Sequence, residues 1–475
     1  MITRPTSNSK LRPLVGVAAS ALMLFLSGAV AAGAQQTAAT AQTTSDSTLP
    51  QSAQTVQPLA FADFSWLNGN SRQTESVLDS KYFTGEFRVD TNYIYDFNHP
   101  KDNSIGGSTE VQRAQEVQVE QLGIGGDFHW NNVRGRLLTQ IGLYSTSTPR
   151  NDASPTRGQW NLDNAYRYVS EAYGGYHFDV GKYGINVDAG IFMSYIGLFS
   201  YYNFDNWAYQ PSYVSSNTPW FFNGVRIQTF PSEKLKVEFW LTNGWQSYGE
   251  FNNSPGIGTQ IAYRPNGSLA FVFNEYLYGR DTLNNQSRAR VHSDNSVQVK
   301  YFDSPNKFID KGAFSVTLDA GCEDGGGVSC YNGSKDKPSQ YFLGFMVYNR
   351  LWFRHDTWAL TIGGGAINNP GRYLVLLPPV NGATAASGTP YFSQNPGDPY
   401  KAWDATLGFD FMPNQWITFR AEFNHRGANV PYFTGSGGLT PPGGNMGAPG
   451  SVVADFTPDL RKVENRINTA ILVKF

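Results

Sequence analysis

The chain has 475 residues, 36 Lys+Arg against 38 Asp+Glu, a net charge of −2 and two cysteines. That balance gives no ground for a nucleic-acid or other polyanionic partner. Charged residues make up only 16% and aromatics reach 15%, whereas ordinary soluble domains carry about 25% charged residues. Mean hydropathy is −0.38, the kind of average produced when lipid-facing and lumen-facing residues alternate along transmembrane strands.

The N-terminus carries Arg4, Lys10 and Arg12, then an apolar run from Leu14 to Val30, then Ala32-Gly33-Ala34. Basic region, short apolar region and small-residue exit read as a secretory signal peptide over 1–34. The competing reading is a retained membrane anchor; with no cysteine nearby, a lipid anchor is excluded. Residues 35–60, rich in Ala, Gln, Thr and Ser, read as a disordered periplasmic leader. Phe61, Phe64, Trp66 and Leu67 follow without a recognisable period, so 35–80 is set apart as a leader and pre-barrel segment, and 81–475 as the barrel. After the signal peptide no segment approaches the roughly 20 apolar residues of a spanning helix.

From Phe83 the pattern changes. Phe83, Gly85, Phe87, Val89, Thr91, Tyr93, Tyr95 and Phe97 alternate with Thr84, Glu86, Arg88, Asp90, Asn92, Ile94 and Asp96. Period two over this length predicts a tilted membrane-crossing strand. The alternation recurs at 122–130, at 133–143, at 183–193, at 235–241, at 403–411 and at 417–423. Short connections, among them Asn131-Asn132, Pro265-Asn266-Gly267 and Pro413-Asn414, carry turn chemistry. They alternate with long ones near 98–114, 145–165, 194–219, 243–256, 279–288, 322–340, 367–401 and 427–461. The expected fold is all-β: a transmembrane antiparallel barrel of about 16 strands (14–18 possible), with periplasmic turns, outer loops and both termini on the periplasmic side. Glu275, Ser293 and Asn295 fit poorly, since the alternation puts them on the lipid side.

Val463, Ile467, Thr469, Ile471, Val473 and Phe475 alternate to the last residue. A terminal aromatic ending such a strand resembles the signal read by the barrel-assembly machinery of bacterial outer membranes. Several stretches resemble the putative β-barrel porin-2 (OmpL-like) family: Phe61-Ala-Asp-Phe-Ser-Trp-Leu-Asn-Gly-Asn70, Leu122-Gly-Ile-Gly-Gly-Asp-Phe128, Glu171-Ala-Tyr-Gly-Gly-Tyr176, Asn217-Thr-Pro-Trp-Phe-Phe-Asn-Gly224 and His292-Ser-Asp-Asn-Ser296. The resemblance implies a porin-like role in the outer membrane and names no solute.

Catalytic chemistry is sparse. His292 and Ser293 are adjacent, so on a strand they point to opposite faces and cannot pair as base and nucleophile. The six His show no metal-binding spacing, and Glu323-Asp324 before three glycines reads more simply as an exposed turn than as a calcium loop. No enzyme, cofactor or metal is expected. Cys322 and Cys330, separated by seven residues, read as a local disulfide in an exported protein; a metal site is the weaker alternative.

The inward faces carry Glu86, Arg88, Asp90, Arg134, Arg136, Arg167, Glu171, Arg226, Lys236, Glu238, Arg420 and Glu422. Mixed signs predict a wet lumen with weak ion selectivity, and about 16 strands enclose more space than their own side chains fill. The expected function is passive diffusion of small hydrophilic solutes. The rival is a structural or surface-binding barrel with a plugged lumen. Expected partners are outer-membrane lipid, the assembly machinery and the solutes; the sequence leaves oligomeric state open. The most aromatic connection, 194–222, holds Tyr201, Tyr202, Trp207, Tyr209 and Tyr213. Lying on the rim suits such rings; folding into the lumen would bury them and form a constriction.

Overall fold

The computed structural model describes residues 57–101, 103–105, 109–149, 152, 154, 158–250, 253–280, 287–370, 400–437 and 459–475. The expected signal peptide and all but the end of the leader lie outside the described residues.

The strands are β1 (Phe83–Asp96), β2 (Val117–Trp130), β3 (Val133–Thr139), β4 (Val169–Phe178), β5 (Ile185–Met193), β6 (Phe221–Ser232), β7 (Leu235–Thr242) and β8 (Gly256–Asn266). They continue with β9 (Leu269–Gly279), β10 (Ala289–Asp303), β11 (Ile309–Asp324), β12 (Tyr341–Phe353), β13 (Trp358–Asn369), β14 (Tyr400–Asn414) and β15 (Ile417–Ala428). A two-residue ladder, β16 (Phe433–Thr434) with β17 (Leu460–Arg461), stands apart, and β18 (Val463–Lys474) ends the chain. Sixteen strands, β1–β15 and β18, close into one antiparallel barrel in which β1 pairs with both β2 and β18. Closure leaves no unpaired edge in the hydrocarbon, the condition for a sheet to cross a membrane.

Alternation along each strand sorts the side chains. Ile124, Phe128, Trp130, Leu137, Phe239, Leu241, Phe345, Leu407, Phe409, Phe419 and Ile471 are exposed on the outer wall. On β1, Arg88, Asp90, Asn92 and Asp96 are buried on the inner wall. Turns are short on one side: Asn131 and Asn132, at φ 45° and 68°, make a two-residue hairpin loop in the doubly left-handed conformation that Asn tolerates and a twisted hairpin needs. The outer connections are long, and 194–220 is the third of them, as the sequence count expected. β3 is shorter than the alternation predicted. It stops at Thr139, Ile141 keeps one isolated bridge to Leu122, and Gly142 at φ 122° turns the chain into the helical turn Tyr144–Ser147.

The last residue takes part in closure. The Phe475 N–H donates to the Phe87 carbonyl at 2.9 Å and the Phe87 N–H returns to Phe475 at 3.1 Å. The three misfit polar residues do point outward, and they satisfy one another: Ser293 Oγ donates to Glu275 Oε1 at 2.8 Å and Asn295 Nδ2 to Ser293 Oγ at 2.7 Å.

Candidate permeation pathway

Outer loop 3, residues 194–220, folds into the barrel instead of lying on the rim. Of the eleven rings from Tyr195 to Phe222, nine are buried; Tyr209, Tyr213 and Phe222 are completely so. Aromatic area on this scale, about 150–250 Å² per ring, is costly to leave in water. The wall supplies partners: Trp207 meets Trp352 edge-on at 5.7 Å, and Tyr195 stacks on Trp240 at 4.7 Å. Trp207, Tyr213 and Val214 join one apolar cluster with Met346, Tyr348 and Ile367 of β12 and β13.

An irregular loop at membrane depth must also find partners for its backbone, because no bulk water is there to supply them. Charged wall residues do this. Glu422 accepts the N–H groups of Tyr209 and Gln210 at 2.7 and 2.8 Å. Asp404 accepts the Ser212 hydroxyl at 2.7 Å and the Tyr213 N–H at 3.0 Å. Arg420 and Arg350 share Asp410 and spend their remaining donors on the loop: Arg420 Nη2 reaches Asn206 O at 2.7 Å and Arg350 Nη1 reaches Trp207 O at 3.2 Å. Tyr209 Oη and Asn203 Nδ2 both donate to Asp90, and Tyr202 Oη donates to Glu171. Arg88 pairs with Glu86 and with Asp205 of the loop, its guanidinium 4.1 Å from the Tyr202 ring centroid. Arg426 stacks on Tyr213 at 4.0 Å. Buried charges in such networks hold a conformation because removing one partner strands the other.

The inner wall is therefore covered unevenly. From β9 through β18 to β1, inward side chains such as Asn274, Ser296, Thr317, Arg350, Asp410, Arg420 and Asn468 are all buried. Arg88, Arg420 and Glu422 belong to this covered wall and hold the loop instead of meeting open water. From β2 to β7 some charges stay partly accessible, Asp127 at 51%, Arg134 at 31% and Lys236 at 20%, while Glu120 and Asp188 on the same strands are buried. They are paired in sequence around the wall. Arg136 binds Glu86, Asp127 and Glu171 at 2.8, 2.8 and 2.9 Å. Arg134 and Arg226 share Asp188 at 3.1 and 2.8 Å, and Lys236 reaches Glu238 at 2.6 Å. Glu238 itself is buried at the foot of this wall, taking bonds from Gln228 and Trp240.

The other residues singled out by sequence fall elsewhere. Arg167 is not on a strand; it ends the helical turn Leu162–Tyr166 in outer loop 2. His292 points inward to Asp319 at 2.7 Å while Ser293 points outward. Cys322 and Cys330 form a disulfide at the outer end of β11. Glu323 is taken by Arg290 and Asp324 by Lys337. Sequence reading missed Arg350 and Arg466, each the one arginine of its strand, and Arg426, which shares β15 with Arg420; all three sit at inward positions. That parity was the available signal.

The family model described as "Putative beta-barrel porin-2, OmpL-like" matches residues 83–451. The chain belongs to that family. It is a porin-type barrel of the outer membrane. The matched span begins at β1, so the Phe61–Asn70 stretch lies before it. Among solved structures the fold is similar to OmpT of Vibrio cholerae, at 11% identity and TM-score 0.44 over 84% of this chain and 99% of that one. It is similar to an anion-selective porin from Comamonas acidovorans, at 12% and 0.45 over 83% and 99%. It is also similar to OprB of Pseudomonas putida, at 9% and 0.46 over 83% and 94%. No curated protein matches the chain.

Proposed function

We propose that this porin passes small hydrophilic solutes by passive, non-enzymatic diffusion along the β2–β7 wall, past a constriction formed by outer loop 3. One observation carries the reading: Asp127, Arg134 and Lys236 keep contact with water while the opposite wall is sealed. Arg136, Arg226 and Glu171 complete a lining of alternating sign, which favours uncharged polar solutes over either ion class. Tyr202, bound to Glu171, stands where the loop meets this lining, and Tyr201 reaches Gln140 just beyond β3; Trp207, Tyr209 and Tyr213 brace the loop against the covered wall. The apolar outer band meets lipid, and Phe475 at the seam is the feature offered to the assembly machinery.

The plugged-barrel reading has its own support. Two cavities beside loop 3, one lined by Tyr201 and Trp220 and one by Phe204 and Arg420, are each only about 30 Å³, room for roughly one water. Refolded protein in liposomes separates the two. Swelling in isotonic solutions of small sugars supports diffusion, and liposomes that stay intact while planar bilayers stay silent overturn it.

A further inference from the structure

Residues 57–79 precede the barrel and the family match, and the Phe61–Asn70 stretch within them carries no catalytic chemistry of its own. Their contacts trace a line. The Leu59 N–H donates to Glu233 O in the β6–β7 turn, and Arg264 Nη1 of β8 donates to Leu59 O at 2.8 Å. Trp66 Nε1 donates to Gly267 O in the β8–β9 turn at 3.1 Å. Farther on, Arg72 Nη2 donates to Ile417 O at 2.7 Å and to Asn414 O at 3.2 Å, beside the β14–β15 turn, and Gln73 Nε2 donates to Lys474 O of β18. In a ring of sixteen strands, the β6–β7 and β14–β15 turns are eight strands apart. The segment thus crosses the periplasmic mouth along a diameter.

Between its two moorings the segment rises to meet loop 3. The Asn68 N–H donates to Gln298 Oε1 on the β10 wall at 2.9 Å, and Asn68 Oδ1 accepts the Trp207 N–H at 2.8 Å. Trp207 Nε1 donates to Trp66 O, and the Gly69 N–H donates to Asp205 O at 3.0 Å. Phe64, Trp66 and Leu67 are buried in the same apolar cluster as Trp207 and Tyr213. At Gly69 the backbone is left-handed, φ 77°, and a Cβ there would lie 2.4 Å from Leu198 O. Only glycine fits this junction.

We propose that residues 57–79 are a strap that sets the size limit of the pore jointly with outer loop 3, with Trp66, Asn68 and Gly69 as its specificity-determining contacts. The strap and the loop together fill the β8–β15 side of the lumen, leaving solutes the crescent along β2–β7. This inference rests on the channel reading above. A sixteen-strand barrel without it retains a wider aqueous lumen.

The test compares the full chain, a variant lacking 57–79 and Gly69→Val in planar bilayers, each first shown to fold by its heat-dependent shift on a denaturing gel. The deletion should raise single-channel conductance at least about two-fold and admit larger neutral polymers. Gly69→Val should move both in the same direction by less. A synthetic peptide of residues 57–79, added on the side of the short turns, should return the deletion variant to the parent conductance. If the deletion fails to fold, Gly69→Val alone decides. Folded variants with parent conductance and parent size limit overturn the strap. Silence from the parent and every folded variant overturns the channel reading, and the strap with it.

Discussion

The barrel has two inner walls, and they use the same residue types for opposite ends. From β9 round to β1, arginines and carboxylates are turned onto the backbone of outer loop 3 and onto each other, as where Arg350 and Arg420 share Asp410. From β2 to β7, arginines and carboxylates also pair across strands, but several keep part of the group in water, as at Arg136 and Asp127. A lumen charge alone therefore does not mark a pore lining. What covers it decides whether it is a structural anchor or a surface that solutes meet.

The largest effect should come from removing what distinguishes the walls. Deleting residues 200–216 with a short Gly-Ser splice floods the covered wall, frees Glu422 and Arg420 into water, and should raise conductance and the size limit well beyond any point substitution. Parent-like conductance from a folded deletion would place the constriction elsewhere. Next is Arg420→Ala, which leaves Asp410 with one arginine and strips the Asn206 carbonyl of its arginine donor. Breaking a buried ionic network of this kind costs about 3–5 kcal/mol, read as a lower urea midpoint for loss of the folded gel form.

Strand positions were legible because outward apolar and inward polar residues alternate locally, and Phe83 to Asp96 needs only its own neighbours to be read. The inward set was legible for the same reason. Its division into anchors and lining was not, because Glu422 meets Tyr209 and Gln210 across more than 200 residues of chain. Residues 61–80 resisted assignment for a related reason. Asn68 finds Gln298 and Trp207, at separations of 230 and 139 residues, and such contacts impose no period on the segment itself. At Gly142 the miss was local, since one glycine at positive φ cut β3 short of an alternation that ran on in sequence.

Two smaller changes sharpen the contrast. Cys322→Ser with Cys330→Ser opens a short loop outside both walls, so barrel stability should fall by at most about 2–3 kcal/mol while conductance stays at the parent value. Altered conductance would tie the sixth outer loop to the pore. Arg134→Gln leaves Asp188 to Arg226, so stability should change by less than about 1 kcal/mol. Loss of one accessible positive charge on the open wall should shift reversal potentials toward cations. An unchanged reversal potential would take Arg134 out of the path.

Thiol accessibility tests the two-wall account most directly. The native cysteines are joined in a disulfide, so single cysteines can be read against a silent background. Arg134→Cys and Lys236→Cys on one wall are compared with Ser296→Cys and Thr317→Cys on the other, under a water-soluble, charged thiol reagent applied to channels in a bilayer. The account predicts fast labelling and stepwise loss of conductance for the first pair, and neither for the second. Equal labelling of all four, with equal block, would contradict it.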